Sequence, residues 1–143
     1  MVSALNWRSD FTQFISTARP VRWKILQITP VAGQNDAAIK LLEIGRSKFD
    51  AFVDRHSSLI QSGTIVVPEP VETIRGSYAM ISPDGRFFDS SAGRHHYSNR
   101  ILDTGLLSAF NEVMFDEAKY SGRDGNYDPL TGRTQSMNHQ LAA

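Results

Sequence analysis

Residues 22–28 read R-W-K-I-L-Q-I and predict a β-strand, because aromatic and β-branched residues are enclosed between Pro20 and Pro30. Residues 1–5, M-V-S-A-L, are typical of the end of another strand. Between the two, Asp10 is placed to cap a short helix with apolar residues at helical spacing. Strand, helix and strand at these spacings predict a βαβ unit with two parallel strands, and hence an α/β fold.

A second helix and a further extended segment are predicted after residue 30. Residues 31–35 are expected to form a loop around Gly33. Ser47 is placed to cap a helix whose apolar stripe faces the core, formed by Phe49, Phe52 and Val53. Residues 64–67, T-I-V-V, are mostly β-branched and favour an extended conformation.

A β-hairpin and a last helix are predicted in the C-terminal half. Pro83-Asp84-Gly85 is a strong turn signal between strands at residues 77–81 and 86–88. Thr104 begins a helix with four apolar residues expected to face inward, Leu106, Leu107, Phe110 and Val113. The chain thus divides into residues 1–60, residues 61–127 and a polar tail, residues 128–143, that is expected to be flexible.

The composition restricts the classes of function. Fifteen basic and fifteen acidic residues give a net charge of zero, which argues against bulk binding to nucleic acid or to a membrane surface. The 143 residues include no cysteine, which excludes disulfides, thiolate zinc sites and iron–sulfur ligation by this chain. No apolar run approaches the ~20 residues that span a bilayer, and residues 1–7 lack a signal-peptide pattern, so a cytoplasmic location is expected.

Eight short motifs, taken in order, resemble the viperin family. In the N-terminal half they are A-L-N-W-R (4–8), P-V-R-W-K-I-L-Q (20–27), G-Q-N (33–35) and F-D-A-F-V-D-R-H (49–56). In the C-terminal half they are V-P-E (67–69), S-Y (77–78), R-F (86–87) and I-L-D-T-G (101–105). Order and spacing match from about residue 4 to residue 127, so the resemblance covers nearly the whole chain.

The resemblance implies a particular chemistry. Viperin-like enzymes are radical-SAM proteins that bind a 4Fe-4S cluster through a C-x-x-x-C-x-x-C loop and cleave S-adenosylmethionine to a deoxyadenosyl radical. The radical abstracts hydrogen from the ribose of a nucleoside triphosphate. Loss of water then gives a 3′-deoxy-3′,4′-didehydro nucleotide, which terminates viral RNA synthesis and serves phage defence in prokaryotes.

The resemblance also implies which part of such an enzyme this chain represents. Residues 1–60 would be the end of a partial (βα) radical-SAM barrel, and residues 61–127 a C-terminal extension with a β-hairpin, a helix and a substrate flap. The cluster loop and most of the S-adenosylmethionine site would belong to an N-terminal half, which becomes the expected partner of the chain.

Arg22 and Lys24 are the first candidates for ligand binding. They lie two residues apart on the predicted strand, so both point to one face, together with Leu26 and Ile28. Two inward cations would be satisfied by an anionic ligand such as a triphosphate; the alternative is an edge strand with this face in water. The resemblance implies that Lys24 holds the nucleotide phosphates, with Arg22 beside it, and that Leu26 and Ile28 belong to the S-adenosylmethionine site.

Tyr78 is the candidate catalytic residue. From the pattern alone it is a half-buried tyrosine in a strand. The resemblance implies a position beside the substrate ribose, where the phenol supplies the electron and proton that end the radical reaction.

His95 and Arg123 are further candidates for phosphate binding. Residues 93–100 are predicted to be a surface loop, in which His95 and His96 would point apart, so a shared metal is not expected. The resemblance places His95 where the family has a lysine near the phosphates. Residues 120–127, Y-S-G-R-D-G-N-Y, resemble the family's phosphate-covering flap and include Arg123; the alternative is a flexible C-terminal turn.

Three polar residues are interpreted as structural, namely Asn35, His56 and Asp103. Three hypotheses for function remain open at this point. The chain is part of a radical-SAM nucleotide dehydratase that needs its N-terminal half, a non-catalytic nucleotide-binding or interaction module, or a fragment of an interrupted gene.

Overall fold

The computed structural model describes residues 1–123, in which three parallel segments meet in the N-terminal sheet. β1 (Arg22–Leu26) pairs with β2 (Ile65–Glu69). On the other edge of β1, Val2 forms a parallel bridge with Gln27. The predicted parallel pairing of the N-terminal strand end with β1 is therefore confirmed. β2 belongs to the same sheet as β1, although it lies after the predicted division of the chain at residue 60. That division stays a prediction.

Four helices accompany this sheet: α1 (Thr12–Ala18), α2 (Asp36–Leu42), α3 (Arg46–Arg55) and α4 (Ser58–Gln61). The N-cap position of α1 is Phe11 and not the predicted Asp10, although Oδ1 of Asp10 accepts a hydrogen bond from the N–H of Thr12, the first residue of the helix, at 2.8 Å. The predicted cap of α3 by Ser47 is wrong, because α3 begins at Arg46 after an extended Gly45, with no side-chain cap. α2 was not predicted.

The first core lies between the parallel sheet and α3. Its buried members are Val2, Ile25, Ile28, Ile44, Phe49 and Phe52, with Trp7, Phe11 and Trp23 packed against them. Ile25 points into this core because it alternates along β1 with Lys24 and Leu26. Lys24 and Leu26 therefore share the opposite face of the sheet, as the spacing predicts.

A second, antiparallel sheet follows, with the order β3 (Met80–Ile81), β4 (Arg86–Asp89) and β5 (His96–Arg100). The predicted hairpin around residues 83–85 is confirmed by the pairing of β3 with β4. β3 begins only at Met80, so the prediction that Tyr78 lies in this strand is wrong, and Tyr78 precedes it. The predicted loop at residues 93–100 is partly wrong, because β5 pairs with β4 although Ser98 is its only buried residue.

The C-terminal helices within the described residues are α5 (Val71–Ile74), α6 (Ile101–Thr104), α7 (Leu106–Phe110) and α8 (Glu117–Gly122). A second core lies between α7 and β4 and consists of Phe87, Ala109 and Val113, with Ile101 and Phe110 packed against it. The expectation that Leu106 and Leu107 face inward is wrong, since both are exposed and Ala109 is buried instead. Gly105, with φ of 84°, separates α6 from α7 and resets the helical phase. No helix within residues 1–123 has the length and apolar character needed to cross a membrane.

Candidate functional site at the carboxyl ends of the parallel strands

A cavity of about 310 Å³ opens where β1 ends. Four of the residues predicted to carry function line it, namely Leu26, Ile28, Tyr78 and His95. Loops that follow the carboxyl ends of parallel strands converge at one edge of a sheet, which is the usual place for ligand sites in α/β folds. The described residues thus gather the predicted S-adenosylmethionine contacts, the candidate catalytic tyrosine and one candidate phosphate ligand around one space.

Glu69, the last residue of β2, is the centre of a charged cluster beside this cavity. Its side chain is fully buried. Nζ of Lys24 lies 2.8 Å from Oε1 of Glu69, and Nη1 of Arg123 lies 2.9 Å from Oε2. Burial of an isolated carboxylate costs several kcal/mol, so these two cations make its position tenable. The parallel register, which pairs Glu69 with Leu26, brings the carboxylate within reach of Lys24.

Tyr78 joins the same cluster through its hydroxyl. The hydroxyl donates to Oε2 of Glu69 at 3.1 Å and accepts from Nη1 of Arg123 at 2.6 Å. The guanidinium of Arg123 also lies over the phenol ring, 3.8 Å from its centroid, at the distance of a cation–π contact. Tyr78 is therefore fixed by hydrogen bonds at its oxygen and by a cation on its face.

Arg123 is held almost entirely inside the protein. Its side chain is 3% exposed, and Nη2 donates to the carbonyl oxygen of Ser77 at 3.2 Å. Nε is buried and has no hydrogen-bond partner within residues 1–123. The rest of the predicted flap, residues 124–127, and the predicted flexible tail, residues 128–143, lie outside the described residues.

Lys24 and Arg22 occupy different places along β1. The side chain of Lys24 is 28% exposed, while its ammonium group contacts Glu69. Arg22 is half-buried at the amino end of the strand, opposite Ile65. The structure brings Lys24 together with Tyr78 and Arg123 through Glu69, whereas Arg22 lies two residues earlier on the same face.

His95 lines the cavity from the hairpin side. Its ring centroid lies 4.9 Å from that of Phe88, and Nδ1 is 3.3 Å from the hydroxyl of Tyr97. The neighbouring His96 approaches Asp89 instead, at 3.6 Å, so the two histidines diverge as predicted. Within residues 1–123, no group of three or more histidine, aspartate or glutamate side chains could hold a metal ion.

Asp89 fastens the hairpin to the segment before α8. Its buried carboxylate accepts hydrogen bonds from the backbone N–H groups of Ser91 at 2.9 Å and Met114 at 3.0 Å. Burial raises the pKa of Asp89, but the hydrogen bonds from the side chain and backbone of Ser91 and from Met114 outweigh it and hold the pKa below its usual range. The carboxylate therefore stays ionised at neutral pH.

Two residues interpreted as structural have that role in the fold. The ring of fully buried His56 accepts a hydrogen bond at Nε2 from the N–H of Phe11, at 2.8 Å, and Nδ1 lies 2.7 Å from the carbonyl oxygen of Phe52. The side chain of Asn35 accepts from the N–H of Val31 at 3.0 Å and donates to the carbonyl oxygen of Thr29 at 3.1 Å. Asn35 thereby shapes the loop that lines the cavity.

Glu69 is the site residue that the sequence analysis missed. A usable signal was present, because Glu69 lies two residues after Val67 on a β-branched strand and so shares its inward face. If the two strands are neighbours, an inward carboxylate on one is expected to pair with an inward cation on the other, here Glu69 with Lys24. The sequence alone does not predict this pair, because no local pattern places β2 beside β1 in one sheet.

The described residues define an α/β protein with a polar cluster and a cavity at the carboxyl ends of its parallel strands. No protein-family model matches the chain. It is 37% identical over 137 residues to the S-adenosylmethionine-dependent nucleotide dehydratase of Lacinutrix mariniflava, a match that covers 96% of this chain and 28% of that protein. A protein of the same name from Flammeovirga pacifica is 35% identical over 127 residues, which cover 89% of this chain and 42% of the relative.

A vertebrate relative shows the same pattern. The S-adenosylmethionine-dependent nucleotide dehydratase RSAD2 of Siniperca chuatsi is 36% identical over 132 residues, which cover 89% of this chain and 36% of that protein. The chain thus spans 28–42% of the length of these relatives. It is homologous to part of the viperin-like SAM-dependent nucleotide dehydratases, and the resemblance seen in its motifs is confirmed.

Proposed function

We propose that the chain forms the C-terminal part of a radical-SAM nucleotide dehydratase, which converts a nucleoside triphosphate to its 3′-deoxy-3′,4′-didehydro form in defence against phage. The names of the relatives support a nucleotide substrate and a dependence on S-adenosylmethionine. The observation that carries the proposal is the position of Tyr78. Its phenol lies between a cavity lined by Leu26 and Ile28 and a cluster that contains Lys24.

The residues present do not fit a 4Fe-4S cluster, because the chain contains no cysteine. Ligation of such a cluster therefore requires a second segment that carries C-x-x-x-C-x-x-C, and we propose this segment as the partner of the chain. Leu26 and Ile28 offer an apolar wall at the end of β1 on which S-adenosylmethionine could rest. The contribution of this chain is then substrate binding and the chemistry of Tyr78.

Phosphate binding is assigned to the cations around the cavity. The side chain of Lys24 is partly exposed, and its ammonium group would exchange its contact with Glu69 for a phosphate oxygen. Arg22 on the same face of β1 and His95 on the hairpin side supply further donors. The resemblance places a lysine at this position in the family, so His95 would be a different donor, with its ring packed against Phe88.

Tyr78 is assigned the hydrogen-donating role. Its proton points toward the carboxylate of Glu69, while Arg123 donates to the phenol oxygen. In the proposed reaction, the phenol supplies an electron and a proton to the nucleotide radical. A non-catalytic nucleotide-binding module is the second candidate, favoured by the absence of cysteine from the chain.

Reconstitution separates the two candidates. The 143-residue chain is combined under anaerobic conditions with the cysteine-containing part of the Lacinutrix mariniflava relative, S-adenosylmethionine, a reductant and each of the four nucleoside triphosphates in turn. Mass spectrometry then measures deoxyadenosine and a nucleotide that has lost water. Formation of both supports the dehydratase. Nucleotide binding without either product, in a complex that has assembled its cluster, supports the binding module and contradicts the dehydratase.

A further inference from the structure

Three side chains from different parts of the chain converge on one phenol. Glu69 ends β2, Arg123 follows α8, and Tyr78 lies in the extended segment before β3. Glu69 accepts the proton of the Tyr78 hydroxyl, and Arg123 donates to the same oxygen and covers the ring. Two hydrogen bonds of opposite direction fix both the position of the oxygen and the direction of its proton.

We propose that Glu69 and Arg123 form a buried ion pair that positions Tyr78, and that Arg123 acts through Tyr78 rather than by contacting phosphate. The predicted effect on catalysis rests on the proposed function. The positioning of Tyr78 by Glu69 and Arg123 does not, because it follows from the contacts within this chain. Glu69 and Arg123 are positioning residues, and Tyr78 is the residue that reaches the substrate.

The burial of Arg123 distinguishes it from Lys24. Nη1 contacts Glu69 and Tyr78, and Nη2 contacts the carbonyl oxygen of Ser77, so both terminal nitrogens are engaged. With 3% of its side chain exposed, Arg123 could meet a phosphate only by leaving three partners, one of them a buried carboxylate. Lys24 also contacts Glu69, but its side chain is 28% exposed and therefore much less enclosed than that of Arg123. The phosphate contact expected of Arg123 from the sequence is thus replaced by a role behind Tyr78.

The planar fork of arginine is what this role requires. One guanidinium donates to a carboxylate, to a phenol and to a carbonyl while its flat face lies against the ring. A lysine at the same position keeps the positive charge but cannot make these contacts together. Arg123→Lys therefore tests whether the contacts of the guanidinium are needed, because it keeps the positive charge and removes those contacts.

The test observes Tyr78 directly in the full 143-residue chain. Tyrosine labelled with ¹³C at Cζ gives one resonance for each of the four tyrosines, and the Tyr78→Phe variant assigns the one from Tyr78. We expect the Tyr78 resonance to shift in Glu69→Gln and in Arg123→Lys, because the first removes the negative charge of one partner of the hydroxyl and the second removes the guanidinium of the other. The matched control Glu72→Gln, on an exposed glutamate paired with Arg46 at 3.4 Å, leaves it in place.

The reconstituted enzyme supplies the second readout. In Arg123→Lys, we expect the dehydrated nucleotide to form at least about tenfold more slowly, with the KM for the nucleoside triphosphate within about threefold of wild type. A positioning residue lowers kcat in this way, whereas loss of a phosphate ligand raises KM. Lys24→Ala provides the contrasting case, with the larger effect on KM.

An unchanged Tyr78 resonance in folded Arg123→Lys would overturn the proposal, and so would a rise in KM with unchanged kcat. If Glu69→Gln does not fold, Arg123→Lys still decides the matter because it keeps the charge on Glu69 balanced. A shifted resonance, together with no dehydrated nucleotide from a reconstituted complex that has assembled its cluster, would support the positioning of Tyr78 and contradict the proposed function. The two failures are therefore distinguishable.

Discussion

Nζ of Lys24 on β1 lies 2.8 Å from Oε1 of Glu69 at the end of β2. The contact joins neighbouring parallel strands across one residue step, since Lys24 pairs in register with Val67 and Glu69 with Leu26. One buried carboxylate thereby compensates a partly exposed ammonium group and, through its second oxygen, a buried guanidinium. The sheet and the site consequently share a residue, and stability and ligand binding are expected to respond together when it is changed.

Replacement of Glu69 by alanine is expected to reduce the free energy of unfolding by about 3–5 kcal/mol. The cause is the loss of the only carboxylate seen to face both Lys24 and Arg123 within residues 1–123, which leaves a buried cation uncompensated. Urea denaturation followed by circular dichroism measures the change.

The matched control is Glu72→Ala, at a glutamate whose side chain is 65% exposed and which pairs with Arg46 at 3.4 Å. A surface pair of this kind contributes about 0–1 kcal/mol. Equal effects of the two substitutions would contradict the view that Glu69 is the hub of the cluster.

Lys24→Ala and Tyr78→Phe are expected to have opposite effects on binding and chemistry. Loss of the ammonium group should weaken the binding of a nucleoside triphosphate by about tenfold or more, because a hydrogen bond to a charged group contributes about 1.5–3 kcal/mol. Loss of the hydroxyl in Tyr78→Phe should leave the affinity within about threefold and abolish the dehydrated product. Isothermal titration calorimetry measures the first effect and mass spectrometry the second.

Lys48→Ala is the control for the lysine substitution, because Lys48 is an exposed residue of α3 whose ammonium group lies over the ring of Trp7. It should bind nucleotide as the wild type does. An equal loss of affinity in Lys24→Ala and Tyr78→Phe would show that the two residues do not have separate roles.

The parts of the fold that the sequence predicted are those in which local pattern and tertiary structure agree. β1 combines aromatic and β-branched residues with prolines on both sides. Residues 83–85 are Pro-Asp-Gly, which strongly favours a turn over a helix or a strand. The face shared by Lys24 and Leu26 follows from strand geometry alone. None of these features depends on which distant segment lies alongside.

The parts that were missed depend on partners far along the chain. β5 has a polar sequence and is a strand because β4 pairs with it, and the burial of Glu69 follows from the pairing of β2 with β1. Leu107 has an apolar side chain on an exposed helix face, which hydrophobic periodicity cannot distinguish from a buried one. Direct partners in the cluster around Tyr78 are up to 54 residues apart, so no local pattern contains it.

Asp89→Asn is expected to destabilise the protein at neutral pH by about 1–3 kcal/mol and to have little effect in acid. The folded-state pKa of Asp89 is held below its ordinary value, so the stability it contributes is fully present above the unfolded pKa of about 3.9 and is lost as the pH falls through the folded pKa. The amide cannot replace a charged acceptor for the N–H groups of Ser91 and Met114.

Urea denaturation of wild type and Asp89→Asn from pH 7 to pH 3 measures this difference. The two curves should begin to converge below about pH 4, because the contribution of the carboxylate is lost as the pH falls toward the lowered folded-state pKa of Asp89. Asp54→Asn, at an exposed residue of α3, serves as the control and should follow the wild type. A difference that is independent of pH would show that the effect comes from packing and not from the charge of Asp89.

Gly76→Ala tests how the backbone before Tyr78 is held. Gly76 has φ of 79°, and its carbonyl oxygen accepts a hydrogen bond from the N–H of Asp116 at 2.7 Å. An added Cβ would meet Ser91 and Asp116 only at ordinary contact distances, 3.7 and 3.9 Å, so the expected cost is backbone strain of about 1–2 kcal/mol. Because Asp116 caps α8, the strain should also loosen this helix, which directly precedes Arg123.

Gly122→Ala is the matched control and should change stability in the opposite direction. Gly122 lies at the end of α8 without a positive φ and with no atom within 4 Å of an added Cβ. Alanine there should raise the free energy of unfolding by about 0.5–1 kcal/mol through its higher helix propensity. If Gly76→Ala proves as harmless as Gly122→Ala in urea denaturation, the left-handed turn does not hold Tyr78 in place, and its position depends on Glu69 and Arg123 alone.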